Sequence, residues 1–387
     1  MLNASAEKRI ASECDISDID EPIVAVSGDV TAGKRLDIKA KSAILMEVNT
    51  GRILYEDNAD EKLPPASITK IMSLLLVMEA IDEGRFDLET VISASEHACS
   101  MGGSQIWLEP NESMEVNDLL KAAVIASAND ATVALGEAVS GSEEGFVEKM
   151  NEKAKLLGMN NTTFINCTGL DAENHLTSAH DVAIMSCELI KHDLIKNYST
   201  VWMDTLRDGE SELVNTNKLV RFYEGTTGLK TGTTGNAGYC LSATAEKNGM
   251  ELAAVIMGGE TSNDRFAGAK KLLDYGFANF EFKKVGTDIE AGMNMAVKKG
   301  AKSGVEIDTT ATLDLLLDRG KVGEITRKTV LNENVTAPVR RGDVLGNVEV
   351  YIGKERAGVI PLRAKTNVDK RDFLTTLAWI LKSLFII

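Results

Sequence analysis

The chain has 387 residues, a hydrophobic content of 44% and six prolines, which is typical of an ordered globular protein with room for two domains. Its formal net charge of −16 argues against a nucleic-acid partner, because contacts to phosphates need clustered Lys and Arg. The five cysteines lack C-x-x-C spacing and the four histidines form no H-E-x-x-H motif, so the sequence predicts neither a metal or other cofactor nor a disulfide scaffold.

The first 36 residues predict a poorly ordered lead-in, because they are polar and acidic from residue 7 onward. They lack the basic and apolar regions of a secretion signal. Ala4-Ser5-Ala6 nevertheless fits the small-x-small pattern that precedes signal-peptidase cleavage, although three small residues in a row also occur by chance. On that pattern we expect an exported protein whose signal, trimmed or missed, lay upstream of residue 7.

The next predicted domain, residues 37–283, begins with two apolar segments joined by the loop Asn49-Thr50-Gly51, which is typical of a hairpin. An apolar run then follows Pro64-Pro65 and ends near Gly84. Prolines at the start and a glycine at the end of such a run predict a helix. Because the run is apolar nearly all round, the helix should be buried.

Ser67 and Lys70 lie one turn apart at the start of this helix. Burial lowers the pKa of a lysine, and a neutral lysine within reach of a serine hydroxyl can accept its proton. The alternative is a helix-capping serine followed by a lysine whose amine reaches solvent. A lone S-x-x-K pattern favours that alternative, because the pattern is short and common residues fill it.

Residues 88–112 form a polar connecting region, which predicts a loop over the site. A helical block from Val116 to Val139 follows and contains Ser127-Ala128-Asn129. Ser, Asn and Asp in close succession compete for backbone hydrogen bonds and predict a break between two helices. By itself this break is an ordinary junction between helices.

Glycines and threonines are dense over residues 225–235, which allows a strand whose backbone lies close to a ligand. Residues 239–245 and 251–257 predict antiparallel strands around Lys247-Asn248-Gly249, and residues 264–280 predict a helix. The expected fold class is therefore α+β, with helices packed on an antiparallel sheet.

Three patterns now stand in order along the chain: Ser67-Ile68-Thr69-Lys70, Ser127-Ala128-Asn129 and Lys230-Thr231-Gly232. Their combination resembles the signature of penicillin-binding proteins and class A β-lactamases, from which only Ala128 departs. The segments 108–112, 166–170 and 175–179 are similar to those of serine-type D-alanyl-D-alanine carboxypeptidases, the low-molecular-weight penicillin-binding proteins. The resemblance covers roughly residues 38–362 and implies a penicillin-binding transpeptidase-like fold.

The resemblance implies a function and a set of catalytic roles. Such an enzyme removes the terminal D-alanine from peptidoglycan pentapeptide stems through an acyl-enzyme, here on Ser67, and binds β-lactam antibiotics covalently. Lys70 would act as the base. Ser127 would relay protons, including the one delivered to the departing D-alanine.

The remaining positions would bind substrate. Asn129 would orient the substrate amide, and Lys230 and Thr231, with Gly232 beside them, would hold the terminal carboxylate. The backbone N–H groups of Ser67 and Thr233 would form the oxyanion hole. Arg265 resembles a further carboxylate contact of the family, with an ordinary surface arginine as the alternative.

Residues 284–365 alternate apolar and polar positions between turn signals, which predicts a small all-β domain without catalytic residues. Residues 366–387 predict an amphipathic helix that anchors the protein at a membrane surface, with Trp379 suited to the headgroup level. A helix docked on its own domain is the alternative. The resemblance favours the membrane and implies the outer face of the cytoplasmic membrane.

Two other functions share part of the pattern. A class A β-lactamase carries a glutamate-bearing loop, yet no E-x-x-L-N motif lies between Asn129 and Lys230, and the nearest approach, Glu173-Asn174-His175-Leu176-Thr177, lacks the asparagine. A non-catalytic penicillin-binding wall protein would be expected to have lost a catalytic residue, and none is lost. The sequence therefore predicts a D-Ala-D-Ala carboxypeptidase.

Overall fold

The computed structural model describes residues 25–26, 36–320, 324–372 and 376. These divide into two compact units. The first holds residues 36–282 and 317–320, and the second holds residues 25–26, 283–316, 324–372 and 376.

Strands account for most of the second unit and for the centre of the first. In chain order they are β1 (Ala25–Val26), β2 (Ser42–Glu47), β3 (Ile53–Asp57), β4 (Val91–Ser93), β5 (Ser113–Glu115), β6 (Met203–Leu206), β7 (Ser211–Val214), β8 (Thr226–Thr234), β9 (Gly238–Lys247), β10 (Met250–Gly259), β11 (Phe280–Gly286), β12 (Asn294–Ala296), β13 (Gly304–Asp308), β14 (Thr312–Asp318), β15 (Ile325–Leu331), β16 (Val344–Ile352) and β17 (Glu355–Ala364).

The helices belong to the first unit. They are α1 (Lys70–Asp82), α2 (Glu96–Cys99), α3 (Val116–Lys121), α4 (Asn129–Ser140), α5 (Glu143–Leu156), α6 (Ala179–Ile190), α7 (Asp193–Ser199), α8 (Leu219–Phe222) and α9 (Ser262–Asn279). Two short 3-10 turns, Ala66–Thr69 and Arg207–Gly209, and one π turn, Ala122–Ala126, complete the set.

The first unit is built on an antiparallel sheet in the order β3-β2-β10-β9-β8. The central strand β10 is buried along its whole length, as an apolar strand with neighbours on both sides should be. Helices α6 and α9 pack on this sheet, and α1 packs on α4, α5 and α6. The predicted α+β fold is confirmed, and the strand β8 lies at the edge of the sheet.

Helix α1 is buried on nearly every side, because nine of its 13 residues are inaccessible to solvent. The 3-10 turn that contains Ser67 leads directly into it. Gly84, two residues after the end of α1, has a φ of 70°, a left-handed conformation that glycine adopts without strain. The burial predicted from composition is therefore confirmed, and Lys70 is carried inside with the helix.

The hairpin between β2 and β3 has a longer connection than the predicted three-residue loop. Glu47 N–H donates to the carbonyl of Arg52, so four residues lie between the paired positions. Val48 leaves the hairpin because its N–H donates to the carbonyl of Glu251 in β10. The Glu47 carboxylate accepts hydrogen bonds from the N–H groups of Asn49 and Thr50, which stabilises the turn.

Over residues 283–316 and 324–372 the regular elements of the second unit are all β strands. Its main sheet has the order β12-β13-β17-β16-β15, which agrees with the predicted all-β domain. Strand β1 pairs in parallel with β14 through Ala25–Leu315 and Val26–Leu316. This strand falls inside the lead-in that the sequence predicts to be poorly ordered, and most of that lead-in lies outside the described residues.

Of the predicted amphipathic helix over residues 366–387, the structure describes residues 366–372 and 376. The predicted start of the helix is wrong, because residues 366–372 are not helical: Val368 and Lys370 form isolated bridges with Val339 and Gly300. The rest of the prediction lies outside the described residues. In the part of the chain that the structure describes, no helix combines the length and the apolar character needed to span a membrane.

Candidate active site

Ser67 and Lys70 lie side by side because a 3-10 turn runs into α1 between them. Ser67 is half-buried in the turn, and Lys70 is the first residue of the helix and fully buried. Lys70 Nζ lies 3.3 Å from Ser67 Oγ. The turn begins at Ala66 with a φ of 49°, a left-handed conformation that is uncommon for alanine.

Lys70 is held by oxygen atoms of uncharged groups. Its Nζ lies 2.5 Å from Asn129 Oδ1 and 2.8 Å from the carbonyl oxygen of Thr168. Burial lowers the pKa of Lys70 to about 7. A neutral amine has two N–H donors and one lone pair, so these two oxygens can accept both N–H groups. The lone pair is then available to the hydroxyl proton of Ser67.

Ser127 occupies the break between two helices. The π turn Ala122–Ala126 follows α3, and α4 begins at Asn129. Ser127 itself has a φ of 63° and a ψ of 30°, a left-handed conformation, and is 4% exposed. The break predicted from competing polar side chains is therefore present, and it presents Ser127 between two helical segments.

Asn129 joins Lys70 to the loop before it. Its Oδ1 accepts from Lys70, and one N–H of its Nδ2 donates to the carbonyl of Gly102. Its backbone N–H donates to the carbonyl of Ser104 at 2.7 Å. The segment 101–104 therefore lies against Asn129, at the side of the site. The second N–H of Nδ2 has no protein acceptor among the described residues.

The edge strand β8 supplies Lys230 and Thr231. Lys230 is 1% exposed, and its Nζ donates to the carbonyl of Thr231 at 3.1 Å. Burial, and secondly the charge of Lys70, hold the pKa of Lys230 well below its ordinary value. Thr231 Oγ1 donates to Thr216 Oγ1 at 2.7 Å, which connects β8 to the segment after β7.

Gly232 lets β8 pass against the turn of Ser67. A Cβ at this position would lie 2.9 Å from the backbone nitrogen of Ser67 and 3.0 Å from that of Ile68. Real Cβ atoms do not approach that closely, so the backbone contact requires glycine here. Thr233 follows at the exposed end of the strand, and its Oγ1 donates to the carbonyl of Gly232 at 2.7 Å.

Arg265 is not an ordinary surface arginine, since it is only 8% exposed. Its Nη1 donates to the carbonyls of Gly232 and Cys240, at 2.9 and 3.1 Å, and to Thr233 Oγ1 at 3.0 Å. Burial lowers the pKa of its guanidinium. These contacts go to the strands β8 and β9, so in this structure Arg265 fixes the end of β8.

The sequence assigned no role to residues 166–169, which complete the surroundings of Lys70. Asn166 Oδ1 accepts from the N–H groups of Thr168 and Gly169, and this turn directs the Thr168 carbonyl to Lys70. Gly169 has a φ of 86°, and a Cβ there would lie 1.9 Å from the carbonyl oxygen of Ala66. An asparagine three residues before a glycine is the sequence signal for this turn.

His175 is a second residue whose role the sequence does not reveal. Its Nδ1 accepts from the N–H of Ile165 at 3.0 Å, and its Nε2 lies 2.9 Å from Thr69 Oγ1. Burial lowers the pKa of His175 to about 4, so the ring is neutral at pH 7. Because Nδ1 accepts, Nε2 carries the proton and donates to Thr69. His175 therefore ties the nucleophile turn to residue 165.

The site is that of a serine acyl-transfer enzyme. A half-buried serine faces a buried lysine of lowered pKa, a second serine lies at a helix break, and a glycine-containing edge strand lies against the nucleophile. Among the described residues, no cluster of His, Cys, Asp or Glu could hold a metal ion.

Known proteins match this chain over nearly its whole length. A family profile for D-alanyl-D-alanine carboxypeptidases matches residues 29–261, and a profile for the C-terminal domain of penicillin-binding protein 5 matches residues 277–370. The D-alanyl-D-alanine carboxypeptidase DacF of Bacillus subtilis (strain 168) is 43% identical over 352 residues, which cover 89% of this chain and 90% of DacF.

Solved structures agree. Penicillin-binding protein 5 from Haemophilus influenzae is 32% identical, with a TM-score of 0.70 over 87% of this chain and 100% of that chain. Penicillin-binding protein D2 from Listeria monocytogenes, in its ampicillin-bound form, is also 32% identical, with a TM-score of 0.58 over 63% of this chain and 100% of that chain. The chain belongs to the D-alanyl-D-alanine carboxypeptidase family and is a serine-type hydrolase with that activity.

Proposed function

We propose that this protein removes the terminal D-alanine from peptidoglycan stem peptides through an acyl-enzyme on Ser67. The proposal rests mainly on the surroundings of the buried Lys70 amine. Two of its three neighbours are the oxygens of Asn129 and Thr168, which can accept its N–H groups, and the third is Ser67 Oγ, which its lone pair can face. That arrangement favours a neutral lysine poised to accept the serine proton.

In the first step Lys70 takes the hydroxyl proton of Ser67, and Ser67 Oγ bonds to the carbonyl carbon of the penultimate D-alanine. The N–H groups of Ser67 and Thr233 stabilise the resulting oxyanion, as preorganised donors do in acyl transfer. The amide C–N bond then breaks as Ser127 delivers its hydroxyl proton to the departing D-alanine, and Ser127 regains a proton from protonated Lys70, which becomes neutral again. Water then attacks the ester carbonyl and gives a proton to neutral Lys70. The bond between the acyl carbon and Ser67 Oγ breaks, Ser67 regains its proton from Lys70, and the shortened peptide leaves with a new terminal carboxylate.

Substrate binding uses both sides of the cleft. The unused N–H of Asn129 is available to the carbonyl of the amide before the scissile bond. Lys230 and the Thr231 hydroxyl, on β8, attract and bind the terminal carboxylate. Arg265 acts through β8 by holding the Gly232 carbonyl and the Thr233 hydroxyl in place. Arg265 is therefore a positioning residue in this proposal.

We also propose covalent binding of β-lactams, which the D2 protein of Listeria monocytogenes supports through its ampicillin- and cefotaxime-bound forms. A β-lactam presents a strained amide and a carboxylate where the peptide presents D-Ala-D-Ala. In the lactam the leaving amine stays attached and hinders the deacylating water. Within residues 36–320 and 324–372, no carboxylate is hydrogen-bonded to Ser67, Lys70 or Ser127 to activate that water.

A time course with benzylpenicillin tests this proposal. We expect a penicilloyl adduct on Ser67 that persists for minutes or longer, because each 1.4 kcal/mol of unmet deacylation barrier slows release about tenfold. Intact-mass spectra, with peptide mapping of the modified serine, measure the adduct. Rapid return to the unmodified mass, with penicillin consumed in large excess, would instead identify a β-lactamase.

We further propose that the protein works at the outer face of the cytoplasmic membrane, attached by residues 366–387. Support for this comes from the sequence alone: the amphipathic pattern of these residues and Trp379, which suits the headgroup level. The soluble part would then meet its polymer substrate close to the membrane surface.

A further inference from the structure

Trp107 is an exposed tryptophan held in a strained backbone conformation. Its side chain is 78% exposed, although an indole buries a large apolar area when it is covered. Its φ is 60°, in the left-handed region that bulky residues avoid. Strain of this kind persists only where the surrounding structure enforces it, and it is concentrated at ligand contacts.

Hydrogen bonds to the residues on both sides enforce this conformation. The Asp130 carboxylate, which is 1% exposed, accepts the N–H groups of Ile106 and Leu108, each at 3.1 Å. Arg207 donates to the carbonyl of Ile106 at 2.9 Å and is itself paired with Glu112 at 2.9 Å. The residues on either side of Trp107 are therefore fixed, and the indole is displayed on a rigid support.

That support adjoins the catalytic machinery. Asp130 follows Asn129 directly, and the same loop supplies the carbonyls of Gly102 and Ser104 that hold Asn129. If β8 binds the terminal carboxylate and Asn129 binds the amide before the scissile bond, the preceding residue of the peptide leaves the cleft past Asn129. A path along the same loop, three residues beyond Ser104, would then bring that residue to Trp107. This step rests on the proposed function.

The charges around Trp107 favour a cationic ligand. Glu112 neutralises Arg207, whereas Glu109, two residues after Trp107, and Asp208, next to Arg207, are exposed carboxylates with no ion pair among the described residues. A long side chain that ends in an amine could cover the indole with its methylene groups. Its ammonium group would then lie against the ring face or the Glu109 carboxylate.

We propose that Trp107 and Glu109 bind an amine-ended side chain on the residue that precedes D-Ala-D-Ala, and so set the preference among stem peptides. Trp107 would contact the methylene chain and Glu109 the ammonium group.

Three peptides test the proposal: N-acetyl-L-lysyl-D-Ala-D-Ala, its norleucyl counterpart without the amine, and N-acetyl-D-Ala-D-Ala. D-Alanine release gives kcat/KM for each. The kcat/KM of the wild type should be about tenfold higher for the lysyl than for the norleucyl peptide. That ratio corresponds to the free energy of a contact between an ammonium group and a ring or carboxylate. Glu109→Gln should reduce this ratio severalfold. Trp107→Ala should instead reduce kcat/KM for the lysyl and the norleucyl peptide alike, severalfold relative to N-acetyl-D-Ala-D-Ala, because both peptides carry the methylene chain. Trp107→Phe should retain most of that preference.

The shortest peptide and Leu156→Ala are the controls. Trp107→Ala should change kcat/KM for N-acetyl-D-Ala-D-Ala by less than about twofold, which shows that the variant is folded. Leu156 is 82% exposed on α5, away from the site, and its replacement should leave all three values unchanged. Either of two results overturns the inference alone: a lysyl-to-norleucyl ratio that Glu109→Gln leaves unchanged, or a preference for the lysyl peptide over N-acetyl-D-Ala-D-Ala that Trp107→Ala leaves unchanged. A wild type that releases no D-alanine from any peptide overturns the proposed function as well.

Discussion

At the scale of single residues, the site depends on the protonation states of two buried lysines, Lys70 and Lys230. Lys70 has three oxygen neighbours, none of them a carboxylate, and burial outweighs the attraction of more distant groups such as Asp130, so the ammonium form is disfavoured. Lys230 is equally buried, and a charge on Lys70 disfavours a charge on Lys230. A substrate carboxylate beside Thr231 would attract a positive charge and therefore favour the protonated form of Lys230. Binding would then leave Lys70 as the neutral partner of Ser67.

The pKa of Lys70 predicts how acylation depends on pH. The neutral amine is the base, so the second-order rate of acylation by benzylpenicillin should rise about tenfold per pH unit below pH 7 and level off above it. Intact-mass kinetics between pH 5 and pH 9 measure this rate.

Lys70→Arg is the matched control for that profile, because a guanidinium keeps its charge across the range and cannot act as the base. Its acylation should be at least about a thousandfold slower at every pH, with near-ultraviolet circular dichroism showing a native fold. A wild-type rate that is flat from pH 5 to pH 9 would contradict the assignment of Lys70 as the base.

At the scale of elements, two segments pack against the 3-10 turn that contains Ser67 and determine its position. Strand β8 approaches at Gly232, and residues 166–169 approach at Gly169, so each contact is made by a glycine that has no room for a Cβ. His175 adds a hydrogen bond to Thr69. The position of Ser67 is therefore determined by segments about 100 and 165 residues further along the chain.

Gly232 and Gly235 provide a test of this contact. Gly232→Ala should slow acylation by about a hundredfold or more, because a displacement of about 1 Å between β8 and Ser67 is enough for such a loss. Gly235→Ala, just after the same strand, meets nothing within 4 Å and should stay within about twofold of the wild type. Penicillin acylation rates and thermal midpoints measure both. Equal rates for the two variants would show that β8 does not constrain the nucleophile.

Local patterns predicted the elements and the helix break at Ser127 well, since composition, caps and turn residues act over short distances. They could not predict the partner of Lys70 at Thr168, because a backbone carbonyl carries no residue identity. The length of the β2–β3 connection was wrong for a similar reason, since Val48 pairs with β10, some 200 residues away. The burial of Arg265 could not be predicted either, because its hydrogen-bond acceptors lie on β8 and β9 and not in the pattern of its own helix.

At the scale of the whole molecule, the chain combines a catalytic unit, a β-rich unit and the C-terminal residues that we propose as a membrane attachment. The net charge of −16 opposes binding to an anionic surface, so the proposed attachment would depend on apolar burial by the last residues. The apolar contribution should be insensitive to salt, in contrast to attraction between charges.

Deletion of residues 371–387 tests the proposed attachment. The full-length protein should sediment with vesicles that contain anionic lipid, at low and at high salt, and the truncated protein should remain in the supernatant. Both should hydrolyse a soluble D-Ala-D-Ala peptide at the same rate. Full-length Ser67→Ala, which should sediment like the wild type, is the control. Sedimentation of the truncated protein would place the membrane contact elsewhere.

The most direct test of the account is mass spectrometry of a pentapeptide that ends in D-Ala-D-Ala after incubation with the purified protein. The peptide should lose the mass of one alanine residue, with D-alanine appearing in equal amount. Ser67→Ala, whose fold should be intact, should leave the peptide unchanged. Undiminished turnover by Ser67→Ala, or no loss of alanine with the wild type, would contradict the assignment of Ser67 as the nucleophile of a D-Ala-D-Ala carboxypeptidase.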